Sequence, residues 1–308
     1  MLKNQKFGVE IEMTGITREK AASLVAEILG SRPSAASRGC YETREIRDAA
    51  ARTWKVMRDS SINPVRNDGT NECIDEYRVE FVTPPLNYGD IDLLQKIVRK
   101  LRENGAKTNS SCGIHIHVDG ANHTPDSLKR LINFMVARQD LIYDALEIGS
   151  RGERWCKKLS GNLLKDMKSC KQLSKNDAER IWYSPANDGY MSGIDHQHYN
   201  PTRYHGVNLH SYFSKGTVEF RLFNSTLHAG KIKAYIQFCL AVSAWAITEN
   251  GKVVFRSMAD YTAEQKVTIM RNILTHRLGL FGDEFKTCRL HLMTPLKKAA
   301  GMPCRNAA

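Results

Sequence analysis

Two histidines stand two positions apart in residues 110–120, which read S-S-C-G-I-H-I-H-V-D-G. Side chains on a β-strand alternate between its two faces, so His115 and His117 share one face and the aliphatic residues beside them share the other. Two imidazoles on one face can direct two nitrogens into one small volume. The pattern is equally compatible with a half-exposed strand that carries two incidental histidines. Asp119, the next residue on this face, receives no assigned role.

Three other predicted strands also place polar side chains between apolar neighbours. These polar residues are Glu10, Glu12, Glu80, Glu219 and Arg221. A single strand of this kind commonly has a solvated face or forms a cross-strand ion pair. If all four strands share one sheet face, that face collects four carboxylates, two imidazoles and one guanidinium. The recurrence of the pattern therefore favours a functional site.

Such a collection of carboxylates predicts a bound cation, because carboxylates cannot remain close together and ionised without one. Oxygen ligands suit Mg²⁺ or Mn²⁺, and the histidines favour Mn²⁺ or Zn²⁺ slightly, although the zinc motif H-E-x-x-H is absent. Mg²⁺ in proteins usually bridges carboxylates to substrate phosphates. Arg221, and in a similar way His117, could bind those phosphate oxygens. The residues therefore predict a phosphoryl-transfer site, with neither a P-loop nor a Rossmann motif.

Composition and charge bound the class of protein. The chain has 308 residues and a formal net charge of +12, which attracts anions such as nucleotides, phosphorylated substrates or nucleic acid without choosing among them. No apolar run approaches the roughly 20 residues of a membrane helix. Residues 1–15 lack the apolar core of a signal peptide. We therefore expect a cytoplasmic protein that does not associate with a membrane.

Short strands and helices are interspersed along the chain. The predicted strands are residues 7–13, 41–47, 53–58, 78–83, 113–119, 204–211 and 217–223. The predicted helices lie between residues 17 and 30 and at 90–101, 126–148, 229–248 and 262–278, with a turn at 67–71 and a frayed tail after Pro295. Hairpins or helices join the strands, and few strands are apolar on both faces. This order predicts an α+β fold, an antiparallel sheet with helices on one face, and argues against a doubly wound fold.

The middle of the chain changes in composition. Residues 151–180 contain nine Lys and Arg against four Asp and Glu, a net charge of +5. Residues 184–201 are polar and rich in Pro, Asn, Asp and Gly, so we predict a long loop. A loop of this length within a compact domain is usually functional or mobile.

Several segments resemble one known family in order and in spacing. They read F-G-V-E-I-E-M (7–13), R-D-S-S-I (58–62), V-E-F-V-T-P-P-L (79–86), G-I-H-I-H-V-D (113–119), R-W-C-K-K-L (154–159), R-Y-H-G-V-N-L-H-S (203–211) and T-V-E-F-R-L-F-N-S-T (217–226). These segments are similar to the putative amidoligases, whose catalytic domain resembles those of glutamine synthetase and glutamate–cysteine ligase. The similarity covers roughly residues 5–250, and the residues after about 260 match only loosely.

The resemblance implies a fold and a domain division. The family has a curved antiparallel sheet like that of the glutamine synthetase catalytic domain, and its concave face binds two or three Mg²⁺ ions and ATP. By this resemblance residues 1–260 form the catalytic domain and residues 261–308 form a C-terminal helical extension and tail. Residues 151–201 are a basic insertion within the catalytic domain. We find no equivalent of the small β-grasp domain of glutamine synthetase. The insertion is therefore expected to cover the site as a lid, with a solvated helical surface as the alternative.

The resemblance also implies roles for individual residues. One metal ion is assigned to Glu12, Glu80 and, as a further candidate, Asp59. Another metal ion is assigned to Glu10, His115 and Glu219. Contacts to ATP or to the transferring phosphoryl group are assigned to His117, Arg203 and Arg221, and Asn208 or His210 is expected to line the site.

The implied reaction is ATP- and Mg²⁺-dependent ligation of a carboxylate to an amine through an acyl phosphate. Arg221 stabilises the transferring phosphoryl group, and Asp59 or Glu80 takes the proton of the amine. The acid and amine could be free amino acids, a peptide, a protein or a polymer.

Two alternatives stay open from the residues. The same carboxylates could serve a metal-dependent hydrolase or phosphotransferase that uses water. The net charge could instead belong to a basic nucleic-acid-binding protein. However, the chain contains no recognised nucleic-acid-binding motif, and its aromatic residues are not interleaved with the basic segment along the sequence.

Overall fold

The computed structural model describes residues 1–68, 70, 74–249, 258 and 260–304. These ranges contain seven strands and ten α-helices, together with short 3₁₀ helices and a π-helical segment at Ile273–Arg277. The strands are β1 (Phe7–Met13), β2 (Arg44–Arg47), β3 (Thr53–Met57), β4 (Val79–Val82), β5 (Gly113–Asp119), β6 (Val207–Asn208) and β7 (Thr217–Asn224). The helices are α1 (Arg18–Leu29), α2 (Ile91–Glu103), α3 (Pro125–Leu146), α4 (Arg151–Arg154), α5 (Gly161–Ser169), α6 (Lys175–Trp182), α7 (His210–Lys215), α8 (Ala229–Thr248), α9 (Ala263–Asn272) and α10 (Lys286–Ala299). Within the described ranges, every helix is too short or too polar to span a lipid bilayer.

The strands are hydrogen bonded in the order β2-β3-β4-β1-β5-β7-β6. The registers of β1 with β4, β2 with β3, β3 with β4, and β6 with β7 are all antiparallel. An open antiparallel sheet with separate helices is an α+β fold, so the predicted fold class is confirmed. The curvature of the sheet and the placement of the helices on one face stay predictions.

The chain divides into two compact units. The N-terminal unit comprises Lys6–Ile116 and Phe223–Tyr235. The C-terminal unit comprises Met1–Gln5, His117–Leu222 and Ile236–Ala308. The boundaries inside the catalytic segment fall within β5, β7 and α8, and the predicted division at residue 260 stays a prediction. We describe each unit by itself.

The N-terminal unit is organised by the registers of β1 to β4. Phe81 of β4 stands opposite Ile11 of β1 and opposite Val56 of β3, and all three side chains are buried. Trp54 stacks on Phe81 with ring centroids 5.9 Å apart. The buried residues of α2 recur every three or four positions, which gives this helix one apolar face for the core. The hairpin predicted at 41–47 and 53–58 is confirmed as β2 and β3, and the turn predicted at 67–71 lies partly outside the described residues.

The C-terminal unit differs from the sequence prediction at the second hairpin. The predicted strand at 204–211 is reduced to the two residues of β6, and α7 follows at once. The physical reason is local, because the Oδ1 atom of Asn208 accepts the backbone N–H of His210 at 2.8 Å. Such a bond satisfies an amide at a helix start and offers the chain an alternative to the strand ladder. Gly216, at φ 80°, ends the helix before β7 begins.

The predicted frayed tail is also wrong in part, because α10 continues through Pro295 to Ala299. Proline removes one helical hydrogen bond, but the apolar residues around it are buried. Met293 and Leu296 contribute to this buried face and offset the cost of the lost bond. The last four residues, 305–308, lie outside the described part of the chain.

One buried histidine of the C-terminal unit carries a prediction about pH. Burial, together with the charge of Arg130, lowers the pKa of His123 from 6.5 to about 4, although Asp119 opposes the shift. The neutral ring lies 2.9 Å from the hydroxyls of both Ser127 and Ser243. The unfolded state binds this proton more readily, so the histidine favours unfolding as the pH falls from about 6.5 towards 4.

Wild-type protein is therefore expected to lose more stability on acidification than a variant that lacks this histidine. Between about pH 7.5 and about pH 5, the extra loss relative to His123→Gln should be about 2 kcal/mol of unfolding free energy. Urea titrations of both proteins at both pH values measure it. Equal losses in the two proteins would contradict a neutral buried histidine.

Candidate functional site

Three predicted ligands of the N-terminal unit come together as a group that we call the acidic cluster: Glu12, Glu80 and His115. Glu12 of β1 stands directly opposite Glu80 of β4 in the antiparallel register. One ligand atom from each residue lies within 4.8 Å of the other two, and all three residues are buried. Three potential ligand atoms at this spacing can coordinate a single ion.

His115 of the acidic cluster lies between two carboxylates. Its Nδ1–H donates to the Oε2 atom of Glu10 at 2.9 Å, and its Nε2 atom lies 3.8 Å from the Oε1 atom of Glu12. The backbone N–H of Gly113 also donates to the Oε2 atom of Glu12 at 2.6 Å. A carboxylate on one imidazole nitrogen commonly orients the other nitrogen towards a metal ion. Glu10 therefore suits the support of His115, and its predicted role as a direct ligand stays a prediction.

The donor set of the acidic cluster fits a divalent cation. Burial removes water that would otherwise stabilise the negative charge of Glu12 and Glu80, and nearby like charges add to the cost. An ion with oxygen preference offsets both costs. Two carboxylates with one imidazole suit Mg²⁺ or Mn²⁺, whereas zinc sites usually contain more His or Cys.

A second group, in the C-terminal unit, is called the Arg221 cluster and consists of His117, Asn208, Glu219 and Arg221. The Nη1 atom of Arg221 donates to the Oε1 atom of Glu219 at 2.5 Å. The Nδ2 atom of Asn208, on the paired strand β6, donates to the Oε2 atom of the same glutamate at 2.6 Å. Both oxygens of Glu219 thus have charged or polar partners. Its predicted role as a metal ligand stays a prediction.

His117 joins this cluster from β5. Its Nε2 atom lies 3.9 Å from the Oε1 atom of Glu219. Its Nδ1 atom lies 3.1 Å from the hydroxyl of Thr217 and 3.4 Å from the hydroxyl of Ser211. Neither hydroxyl residue was among the site residues predicted from the sequence. A signal existed for Thr217, because it shares a strand face with Glu219 and Arg221 in T-V-E-F-R.

Arg221 is held in place by the backbone around it. Its backbone N–H donates to the carbonyl of Gly206 at 2.9 Å, and its Nε atom donates to the carbonyl of Trp155 at 3.5 Å. The guanidinium carbon lies 5.9 Å from the ring centre of Tyr204. Only glycine fits at position 206, because a Cβ atom there would lie 2.4 Å from the Tyr143 hydroxyl. The backbone at Arg221 is thus fixed by Gly206, and the guanidinium itself contacts Glu219, the Trp155 carbonyl and the Tyr204 ring.

A buried pair, Tyr183 and His210, is linked to the Arg221 cluster through Asn208. The hydroxyl of Tyr183 lies 2.8 Å from the Nδ1 atom of His210. Burial lowers the pKa of His210 to about 4 and raises the pKa of Tyr183, so both side chains are neutral near pH 7. His210 in turn meets Asn208 through its backbone N–H. Tyr183 was not predicted from sequence, since nothing in its local pattern distinguishes it from a core tyrosine.

Two of the predicted site residues, Asp59 and Arg203, form hydrogen bonds with backbone groups close to them in the sequence. Asp59 accepts the backbone N–H of Ser61 at 2.6 Å in the turn after β3. The Nη1 atom of Arg203 donates to the carbonyl of His198 at 2.5 Å. Their predicted roles, Asp59 as a base or metal ligand and Arg203 at the phosphates, stay predictions.

Comparison with known proteins places the chain among related sequences. Residues 3–243 match the family model described as "Putative amidoligase enzyme". No curated protein matches the chain.

Proposed function

The chain belongs to the putative amidoligase family, and on this premise we propose that it is an ATP- and Mg²⁺-dependent carboxylate–amine ligase. The family match supports a ligase. The dependence on ATP and Mg²⁺ and the route through an acyl phosphate are our proposal. The observation that carries it is the acidic cluster, because buried paired carboxylates beside an imidazole suit a divalent ion that accompanies a nucleotide.

The proposed reaction has two steps. A carboxylate oxygen of the acid attacks the γ-phosphorus of ATP, the bond from phosphorus to the ADP oxygen breaks, and an acyl phosphate forms. The amine nitrogen then attacks the acyl carbon, the carbon–nitrogen bond forms, and inorganic phosphate leaves. The amine must lose a proton to a base, so the products are an amide, ADP and phosphate.

Glu12, Glu80 and His115 are the residues that would hold the divalent ion. Bound there, it would supply positive charge against the phosphate oxygens. His115 would keep its Nε2 atom available as a ligand, because Glu10 holds the Nδ1 side of the ring at 2.9 Å. The second ion that the resemblance implies, with Glu10, His115 and Glu219 as its ligands, stays a prediction.

Arg221 is proposed to stabilise the transferring phosphoryl group. A guanidinium matches two phosphate oxygens with paired hydrogen bonds, and a donor fixed in advance requires little reorganisation during the reaction. Glu219 and the Trp155 carbonyl fix its orientation. His117 and Arg203 are proposed as further phosphate contacts, and Asn208 holds Glu219 in place.

The proton of the amine requires a base. Glu80 is the candidate within the acidic cluster, and Asp59 is the candidate in the turn after β3. A carboxylate can perform this role when the acceptor pKa is adjusted by its surroundings. We further propose a cytoplasmic location, where ATP is available.

A phosphate-release screen tests the proposal. Mg-ATP is supplied with pairs of acids and amines, and phosphate and ADP are measured together. We expect phosphate release that requires both an acid and an amine. In Glu219→Gln the rate should fall by a factor of about 100 or more, since Arg221 loses its charged partner. Glu45→Gln, which removes an exposed strand glutamate, should react like wild type.

Other outcomes would contradict the proposal. Metal-dependent hydrolysis without ATP and without an amine would indicate a hydrolase or phosphotransferase. Nucleic-acid binding that collapses with salt and does not respond to Mg-ATP, with no release in the screen, would indicate a binding protein. Full activity of Glu219→Gln would exclude the Arg221 cluster from the reaction.

A further inference from the structure

Exposed apolar side chains are concentrated in one short segment of the C-terminal unit. Among the described residues, seven large hydrophobic side chains are exposed, and four of them lie within ten consecutive positions. These four are Tyr190, Met191, Ile194 and Tyr199. Met191 is 90% exposed and Tyr199 is 68% exposed. A contiguous group of exposed apolar residues on a globular protein commonly marks an interaction surface.

The segment is held in place by polar contacts at its base. The Nε2–H of His196 donates to the Oε1 atom of Glu179 at 2.7 Å. Buried Asn200 donates to the backbone carbonyl of Asp195 at 3.0 Å. Near the start of the segment, Lys157 pairs with Asp188 at 2.7 Å. These bonds fix the segment to the rest of the unit while its apolar side chains stay exposed.

Aromatic rings and guanidinium groups form a row of contacts that begins in the segment, at Tyr199. The guanidinium carbon of Arg203 lies 6.0 Å from the ring centre of Tyr199 and 5.5 Å from that of Tyr204. The ring of Tyr204 lies 5.8 Å from that of Trp155, and the guanidinium carbon of Arg154 lies 4.4 Å from the same tryptophan ring. A guanidinium that stacks on a ring keeps its N–H edge for a carboxylate.

The arginines of this row and the lysines nearby differ in the groups that they contact. Lys157 and Lys158 form ion pairs with Asp188 and Asp140. The contacts described for Arg154 and Arg203 are instead with aromatic rings and, for Arg203, with a backbone carbonyl. Residues 151–180 also carry a net charge of +5. An acidic partner would therefore be attracted to this surface.

The row also reaches the Arg221 cluster. The ring of Tyr204 that contacts Arg203 also contacts the guanidinium of Arg221, at 5.9 Å. On a second route, the ring of Tyr183 lies 5.6 Å from that of His196, and the Tyr183 hydroxyl meets His210. A ligand on the segment would thus lie on residues that are in contact with the candidate phosphoryl site.

We propose that residues 190–203, together with Arg154 and Trp155, form a docking surface for an acidic polypeptide. This inference rests on the proposed function, because the polypeptide carries the carboxylate that is ligated. Tyr, Met and Arg are enriched at protein interfaces. Proteins that bind single-stranded nucleic acid stack the bases on aromatic rings, and Met191 and Ile194 have no ring to offer. Four exposed side chains over ten positions also exceed what one free amino acid can cover.

Binding of a defined acidic polypeptide tests the proposal without any catalysis. The probe is a fluorescein-labelled glutamate–tyrosine copolymer, followed by fluorescence anisotropy in the absence of ATP and metal. We expect about 10-fold weaker binding for Tyr199→Ala and for the double variant Met191→Ser with Ile194→Ser. Phe281→Ala removes another aromatic ring that is 69% exposed in the same unit, and its affinity should equal that of wild type. Thermal melts confirm that these surface variants fold.

Distinct outcomes separate this proposal from the proposed function. Equal affinity of wild type and all variants, or no binding of the copolymer, would overturn the docking surface. Tighter binding of labelled oligo-dT, lost in the same variants, would assign the surface to nucleic acid and overturn it as well. Copolymer binding that depends on Tyr199, in a protein that releases no phosphate with any acid and amine, would retain the docking surface and reject the ligase. Ligation of small acids but never of the bound copolymer would reject the polypeptide as the acid substrate.

Discussion

Replacing Glu12 by glutamine is expected to lower the affinity of the protein for Mn²⁺ or Mg²⁺ about 100-fold or more. Residues that only support a metal ligand already contribute a factor of roughly 10 to 100, and Glu12 is placed as a ligand itself. Its Oε1 atom lies 3.8 Å from the Nε2 atom of His115, and Glu80 stands opposite it. Glutamine keeps the shape of the side chain and an oxygen for the Gly113 amide, so the change removes mainly the charge.

The effect of Glu12→Gln on the free energy of unfolding, relative to wild type, should reverse in sign when metal is added. Without metal, Glu12→Gln removes one of two buried carboxylates that face each other, so the variant should be at least as stable as wild type. With Mn²⁺ at about 100 times its dissociation constant, wild type should gain roughly 2.7 kcal/mol and the variant should gain almost nothing. Calorimetric titration measures the affinity, and thermal melts with and without Mn²⁺ measure the gain.

A matched variant controls for the general effect of removing a charge. Glu45 lies on β2 of the same unit, is exposed and pairs with Lys55 at 3.8 Å. Glu45→Gln should therefore retain the whole metal-dependent gain in stability. If Glu12→Gln also retained that gain, the acidic cluster would not be the metal site, whatever the protein ligates.

Replacing Arg221 by lysine is expected to lower kcat by about 100- to 1,000-fold. One fixed donor to a developing negative charge contributes roughly this factor, and a single ammonium cannot reproduce the paired contact of a guanidinium. Lysine keeps a positive charge beside buried Glu219, which avoids leaving that carboxylate without a cation. Melting temperature should consequently change little in comparison with the rate.

Steady-state kinetics with a substrate pair from the phosphate-release screen measure this effect. The matched control is Arg180→Lys, which changes an exposed arginine of α6 in the same unit and should not alter the rate. A wild-type rate in Arg221→Lys would show that the guanidinium only pairs with Glu219. A similar fall in both variants would point to a general requirement for surface charge.

Much of the candidate site could be predicted from the two-residue alternation of side chains along a β-strand. Because side chains alternate every residue, Glu10 with Glu12, His115 with His117, and Glu219 with Arg221 were each certain to share a face once their segments were strands. The same reasoning applied to Thr217 would have added it to the Arg221 cluster. Local patterns of this kind need no knowledge of distant residues.

Local chemistry can also mislead when two local structures compete. The segment at 204–211 alternates like a strand, yet the bond from His210 to Asn208 starts a helix there. Pro295 ordinarily ends a helix, yet α10 continues because Met293 and Leu296 are buried. In both cases the deciding interaction is one that the pattern of apolar and polar residues does not express.

The sequence by itself determined the α+β class, the family and the strand faces that carry polar side chains, because these depend on short periods and on motif order. Only the tertiary structure decided which groups meet, because strand register joins residues far apart in the chain. Register sets Glu12 against Glu80, and it sets Asn208 against Glu219. Folding likewise brings Trp155 to Tyr204, which joins the sequence neighbours Arg154 and Trp155 to the sequence neighbours Arg203 and Tyr204 in one row.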